Sequence, residues 1–202
     1  MTTLRIERSP EQLAEELRGL EHVDWPAVWA GPPNPGQALD DWCALFGWRP
    51  LAGERILSVH SATGQRIALY PVDGGGWAPV QNLNWTTWHL RADSAAENDL
   101  VLTQAAEAWT AFEAAARGVL GDPMFSGSWD DPGFPEPPHE HHWLAPREIR
   151  HEDMDPYRMA VWPAAGAEGR ITVLTVNLGL TPLPGEPRGV LINVDCYPPE
   201  AL

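Results

Sequence analysis

Four short apolar runs, paired two by two through tight turns, constrain the fold of this chain more than any other feature. Residues 56–60 and 66–71 flank Ser61-Ala62-Thr63-Gly64, and residues 158–162 and 170–178 flank a Gly-rich turn. Strands that follow one another so closely pair antiparallel, because a parallel crossover needs a dozen or more residues. Residues 83–91 and 189–197 supply further strands. Three helices show themselves by their starts. Ser9-Pro10-Glu11-Gln12 offers an N-cap Ser, a Pro at the first helical position and a Gln three residues after the cap, ahead of Leu13, Leu17 and Leu20. Asn34-Pro35-Gly36-Gln37 repeats the device ahead of Leu39, Trp42, Cys43 and Phe46, with Gly47 as the stop. Ser94 with Glu97 opens the longest helix, whose stripe is Leu102, Ala105, Trp109, Phe112, Ala116 and Val119 and whose end falls at residues 118–121.

These elements define an α+β fold: one domain over residues 1–202, with an antiparallel sheet and helices packed on one of its faces. A short internal match suggests duplication. Val59-His60-Ser61-Ala62 leads to Arg66-Ile67-Ala68-Leu69, as Val161-Trp162-Pro163-Ala164 leads to Arg170-Ile171-Thr172-Val173. Each hairpin follows a helix with a tryptophan, Trp42 and Trp109 respectively. Two helix-plus-β-meander halves, 1–93 and 94–202, would share one sheet.

The charge is one-sided: 28 acids face 13 bases, all of them Arg, for a net charge of -15. Nucleic acid and anionic membranes would be repelled, so a basic protein partner fits best, with plain solubility as the competing account. The absence of Lys beside abundant Ala, Gly and Pro matches a GC-rich actinobacterial genome. Cys43 and Cys196 lie far apart, outside any CxxC, and read as reduced core thiols. Residues 1–8 are charged rather than apolar, and no run is long enough to span a bilayer. A cytoplasmic location is the expectation.

Residues 121–156 form an acidic, Pro- and His-rich insertion. Nine acids stand there against Arg147 and Arg150, a net of -7, together with four of the seven histidines. A stretch this long between periodic segments is functional or disordered, and its aromatics argue that it docks. The candidate partner-binding residues are Trp129, Asp130, Asp131, Phe134, Glu136, Glu140 and Trp143, carboxylates for charge and aromatics for anchoring.

Catalytic patterns are poorly represented. His139-Glu140-His141-His142 could offer imidazoles to a divalent ion, but no second ligand group stands at a metalloprotein spacing and HExxH is absent. Asp40-Asp41 and Asp130-Asp131 read as surface and turn acids. Asp73-Gly74-Gly75-Gly76 lacks the Lys of a phosphate loop. No catalytic residue, metal or cofactor is assigned.

The stretch Gly36-Gln37-Ala38-Leu39-Asp40-Asp41-Trp42-Cys43-Ala44-Leu45-Phe46-Gly47-Trp48, with the hairpin at 55–72, resembles a motif of actinobacterial domains of unknown function. Small acidic proteins of this kind resemble immunity proteins of polymorphic toxin systems. The resemblance covers about a quarter of the chain and rests on apolar residues, so it implies fold and assigns no residue roles. The function it implies agrees with the charge: a non-catalytic immunity or inhibitor protein that neutralises a basic toxin or effector domain. The alternatives are a metal-dependent hydrolase built on residues 139–142 and a structural scaffold.

Overall fold

A computed structural model describes residues 2–51, 56–72, 77–139, 142–164, 169–179 and 186–201. In chain order the elements are β1 (Thr3–Glu7), α1 (Pro10–Gly19), α2 (Trp25–Ala30), α3 (Gln37–Leu45), β2 (Arg49–Pro50), β3 (Leu57–His60), β4 (Arg66–Pro71) and β5 (Val80–Arg91). There follow α4 (Asn98–Leu120), β6 (Phe125–Ser128), α5 (Arg147–Asp153), β7 (Arg158–Trp162), β8 (Ile171–Leu178) and β9 (Gly189–Tyr197). No helix among the described residues is long and apolar enough to cross a membrane.

The helix starts differ in how far local chemistry decides them. At α1 the capping box is complete: Gln12 N donates to Ser9 Oγ at 3.3 Å and Ser9 N donates to Gln12 Oε1 at 2.8 Å. The expected cap Asn34 does not start α3. The φ of +129° at Gly36 interrupts the path after Pro35, so the helix begins at Gln37 without a side-chain cap. Ser94 makes no capping bond either. A 3-10 turn over Ala95–Glu97 precedes α4, and Glu97 Oε2 accepts from Asp93 N at 3.1 Å. The stripe of α4 buries Val101, Ala105, Trp109, Phe112 and Ala116, with Leu102 and Val119 partly buried beside them.

Among the described residues nine strands form one antiparallel sheet in the order β2-β3-β4-β5-β9-β8-β7-β6, with β1 joined to the C-terminal part of β5. The order contains two four-strand meanders, β2 to β5 and β6 to β9, which meet where β5 pairs with β9 over Leu83↔Cys196 to Arg91↔Gly189. Helices precede each meander, so the topology repeats. The short sequence match does not follow this repeat residue for residue. Val59 and Ile67 point into the core under the helices, whereas Val161 and Ile171 belong to a cluster on the opposite face. The matched positions are out of phase, because β-strand side chains alternate faces.

The main core lies between α1 to α4 and one face of the sheet, with Leu13, Leu17, Val28, Cys43, Trp109 and Phe112 meeting Leu69, Trp85, Trp88, Ile192 and Val194. A register shift between Thr86 and Trp88 lets Trp85 and Trp88, three residues apart, share that face. On the other face a smaller cluster joins Met159, Val161, Ile171 and Val173 to Phe134 and Leu144. β7 and β8 are therefore covered on both sides, which explains their unbroken burial, while β9 alternates. Helices packed on one face describes α1 to α4; Phe134, Leu144 and the Arg150 of α5 lie on the other.

Trp109 is 3% exposed, whereas Trp42 is only partly buried, edge-on to Phe46 and Trp48. Trp109→Ala should therefore cost ~3–5 kcal/mol in urea unfolding. Trp42→Ala should cost distinctly less, by ~1 kcal/mol or more, since less apolar surface returns to water.

Candidate functional site

The acidic insertion is held down by one arginine. Arg150 of α5 is 2% exposed; its Nε donates to Trp129 O and its Nη2 to Glu136 Oε1, each at 3.0 Å. Its guanidinium lies 4.0 Å from the centroid of the Phe134 ring. One cation thus ties together the turn at 129, the Pro-rich run at 136 and the second hydrophobic cluster. Within the turn, Asp131 Oδ1 accepts from Gly133 N at 2.7 Å and Asp130 Oδ1 accepts from Ser128 Oγ at 2.6 Å. A side chain at Gly127 would press on the Phe125 ring and the Asp131 carboxylate, so glycine lets both pack close to this strand.

These contacts sort the expected partner-binding residues. Asp130 is exposed, as are Glu148, Glu152 and Asp153 of α5. Glu136 is half-exposed but committed to Arg150. Trp129 is partly buried, edge-on to His151 with ring centroids 5.1 Å apart. Phe134 corrects the sequence reading: at 4% exposure it is a core residue, against Phe125 and under Arg150, and cannot anchor a partner. Glu140 lies outside the described residues, as does His141. His139 and His142 have ring centroids 5.5 Å apart. Both nitrogens of His142 are engaged, Nδ1 accepting from Leu144 N at 3.2 Å and Nε2 lying 2.5 Å from Ala201 O. A metal ion would have to displace one of those bonds. Asp40 and Asp41 lie exposed on α3, with Asp41 accepting from Gln37 Nε2 at 2.8 Å. The Asp73–Gly76 run falls outside the described residues.

Trp143 leads to a second group of residues. Its ring stacks on Tyr197 at 4.7 Å and 16°, and its Nε1 donates to Ala201 O at 2.8 Å. Beside this stack is a recess of about 120 Å³ lined by Trp143, Pro156, Thr175, Asn177, Asp195 and Tyr197. Asp195 sits where the two meanders join, opposite Asn84 in the β5–β9 ladder. Its Oδ1 accepts from Asn84 Nδ2 at 2.9 Å and from Asn82 Nδ2 at 3.3 Å. A separate group of amides and hydroxyls lies further along the same ladder: Thr86 Oγ1 donates to Asn193 Oδ1, and Asn193 Nδ2 and Thr175 Oγ1 donate to Asn177 Oδ1. Asn177 Nδ2 in turn donates to Asp155, which also accepts from Leu178 N at 3.1 Å.

Burial pushes the Asp195 carboxyl up to about 6, against the two asparagine donors that favour its charged form. Burial also pushes Asp155 up, and Tyr197 up with help from the Asp195 charge. Among the described residues no arginine or histidine forms an ion pair with Asp195. The recess thus holds a carboxylate that lacks a cation, walled by an aromatic stack. A guanidinium or ammonium group is the chemistry that complements it.

The sequence reading found Trp143 but not Asn82, Asn84, Thr175, Asn177, Asn193, Asp155 or Asp195. A signal was present: the outward positions of residues 189–197 carry Asn193 and Asp195 rather than solubilising Glu or Arg, and residues 82–86 show Asn, Asn and Thr in the same alternation. Comparison of the chain with protein-family models, with curated proteins and with solved structures finds no match.

The Asp195 shift has a defined consequence for stability. Its carboxyl holds a proton to about pH 6 in the folded chain, against an ordinary aspartate value of 3.8. Between these values the native state binds more protons than the unfolded state, so stability falls as pH rises through that window. The fall is up to ~3 kcal/mol at about 1.4 kcal/mol per pH unit of displacement. Asp195→Asn should flatten the profile between about pH 4 and 6 and raise stability at pH 7, as read by urea unfolding across pH.

Proposed function

We propose that this chain is a non-catalytic binding protein that neutralises a basic protein domain, in the manner of the immunity or inhibitor proteins of polymorphic toxin systems. The observation that carries the reading is the Arg150 clamp. It converts an acidic, proline-rich stretch from a loose tail into a surface fixed on the sheet. A fixed surface loses little conformational entropy when a partner binds. The exposed acids Asp130, Glu148, Glu152 and Asp153 supply a field that steers a basic partner. The carboxylate of Asp195, in the recess beside Trp143 and Tyr197, supplies a seat for one basic side chain of that partner. The buried free thiols Cys43 and Cys196 suit the cytoplasm of the producing cell, where such an inhibitor acts.

The partner is obtained by capture from the native cell followed by mass spectrometry. Association should then slow steeply as salt rises past about 0.15 M, where the screening length is about 8 Å. The combined variant Asp130→Arg, Glu148→Arg, Glu152→Arg should slow association by about tenfold or more. Fold stability should move by about 0.5 kcal/mol or less per site, because these side chains lie on the surface. Glu136 and Asp131 are left intact, since one holds Arg150 and the other closes the turn. Unchanged association and dissociation rates in stopped-flow measurements would remove the acidic surface from the interface.

A further inference from the structure

The acidic recess of Asp195, about 120 Å³, has a neighbour. A second, apolar hollow of about 220 Å³ is lined by Met124, Phe125, Gly133, Pro135 and Val161. Trp143 and Leu144 line both, so single side chains stand between the two. Trp143 is a firm partition. Tyr197 stacks on its ring, the His142 ring centroid lies 5.2 Å away, and its Nε1 is tied to Ala201 O. Both hollows are open at identifiable groups. Asp195 is only partly buried, and its Oδ1 takes both asparagine donors. Its Oδ2 has no partner among the described residues and is not sealed from water. At the apolar hollow Met124 is 60% exposed and Gly133 is exposed, beside the buried Val161 and Leu144.

Size and chemistry define what each hollow takes. An apolar cavity of about 150 Å³ accommodates benzene. The acidic recess therefore suits one planar cationic head group, and the larger hollow a phenyl or branched aliphatic side chain. Among the described residues no basic side chain lines either hollow. Guanidinium fits the recess better than ammonium. It is flat and more weakly hydrated, so it loses less on entering between Leu144, Met159 and Val173. Covering Met124 and Phe125 removes apolar surface from water at the same time. Alternate residues of an extended chain project to the same side about 7 Å apart, so one short segment can fill both hollows.

We propose that the two hollows form one bipartite receptor for an extended segment of a basic protein. An arginine of that segment enters the Asp195 recess, and an aromatic residue two positions away fills the hollow between Met124 and Val161. The proposal rests on the reading of this chain as a binder of a basic protein, and it names the side-chain pair that the partner presents. Arginine and aromatic anchors seated in pockets are what concentrates binding energy at such interfaces.

NMR titration of the full chain at about pH 7.5 tests it, since the Asp195 carboxyl, pushed up to about 6, is ionised there. The probes are acetyl-Arg-Ala-Phe-amide and its reversed sequence. Two analogues of the tighter one follow, with citrulline for arginine or alanine for phenylalanine. The reporter is the indole N–H resonance of Trp143, assigned with Trp143→Phe. It should shift saturably with the tighter probe, and each analogue should bind about tenfold or more weakly. In Asp195→Asn the arginine and citrulline probes should bind alike, whereas diffuse attraction to an acidic surface would preserve their difference. In Met124→Ser the advantage of phenylalanine over alanine should shrink by about threefold or more. If Asp195→Asn fails to fold, the citrulline analogue on the native chain decides. The proposal is overturned by an unmoved Trp143 resonance, by equal binding of either analogue, or by undiminished preferences in the folded variants. These titrations leave the Asp130, Glu148 and Glu152 surface untouched, so failure here and failure of the acidic surface are told apart.

Discussion

The pairing of β5 with β9 is the constraint on which the rest of this structure depends. It runs from Leu83↔Cys196 to Arg91↔Gly189 and turns two separate meanders into one sheet. Because side chains alternate along both strands, one register decides two things at once. It brings Leu83, Trp85, Ile192 and Val194 together beneath the helices, and it sets Asn84 opposite Asp195 and Thr86 opposite Asn193 on the other side. A one-residue slip would exchange the two sets, placing a carboxylate in the core. The apolar face and the polar recess are therefore products of the same alignment.

Much of the architecture was legible in the sequence because its main signals are local. β7 and β9 have the expected limits, and the Ser61–Gly64 turn joins β3 to β4, with Gly64 at φ +80°. The turn also serves α1: Ser61 Oγ and Thr63 Oγ1 both donate to the buried Glu16 carboxylate, a long-range bond that no local pattern announces. Three strands escaped the sequence reading: β1, in which Arg5 and Glu7 interrupt the apolar residues, and two without propensity of their own. β2 is two residues long and includes Pro50, and β6 reads Phe-Ser-Gly-Ser, so each is ordered by the neighbour it pairs with. α5 escaped notice because its face toward the protein is an arginine rather than an apolar stripe.

The candidate site was legible only in part for a related reason. Charge and aromatic content single out residues 121–156, but the places of Phe134 and Glu136 are set around Arg150. Phe134 and Glu136 look alike with Trp129 and Asp130 as members of an acidic aromatic loop. Around the guanidinium they separate, with Phe134 becoming core and Glu136 its counter-ion. The asparagines of β5 and β9 carry no charge, and their strands lie far apart in the chain. Their convergence on Asp195 is a property of the sheet order.

The ends of that sheet bear on what kind of contact the protein can make. Among the described residues its border strands are β2, with two residues, β6, with four, and β1, with five, which pairs with β5 alone. Such short borders present few unpaired amides and carbonyls, and Pro50 removes a donor from one of them. Among the described residues another chain therefore finds only short ladders to extend, which works against copies of an acidic, tryptophan-rich protein joining strand to strand. The same borders leave little backbone for recognition by strand addition. Short borders shift the weight of any recognition onto side chains across a face, where specificity would reside in the identity of individual residues rather than in the backbone.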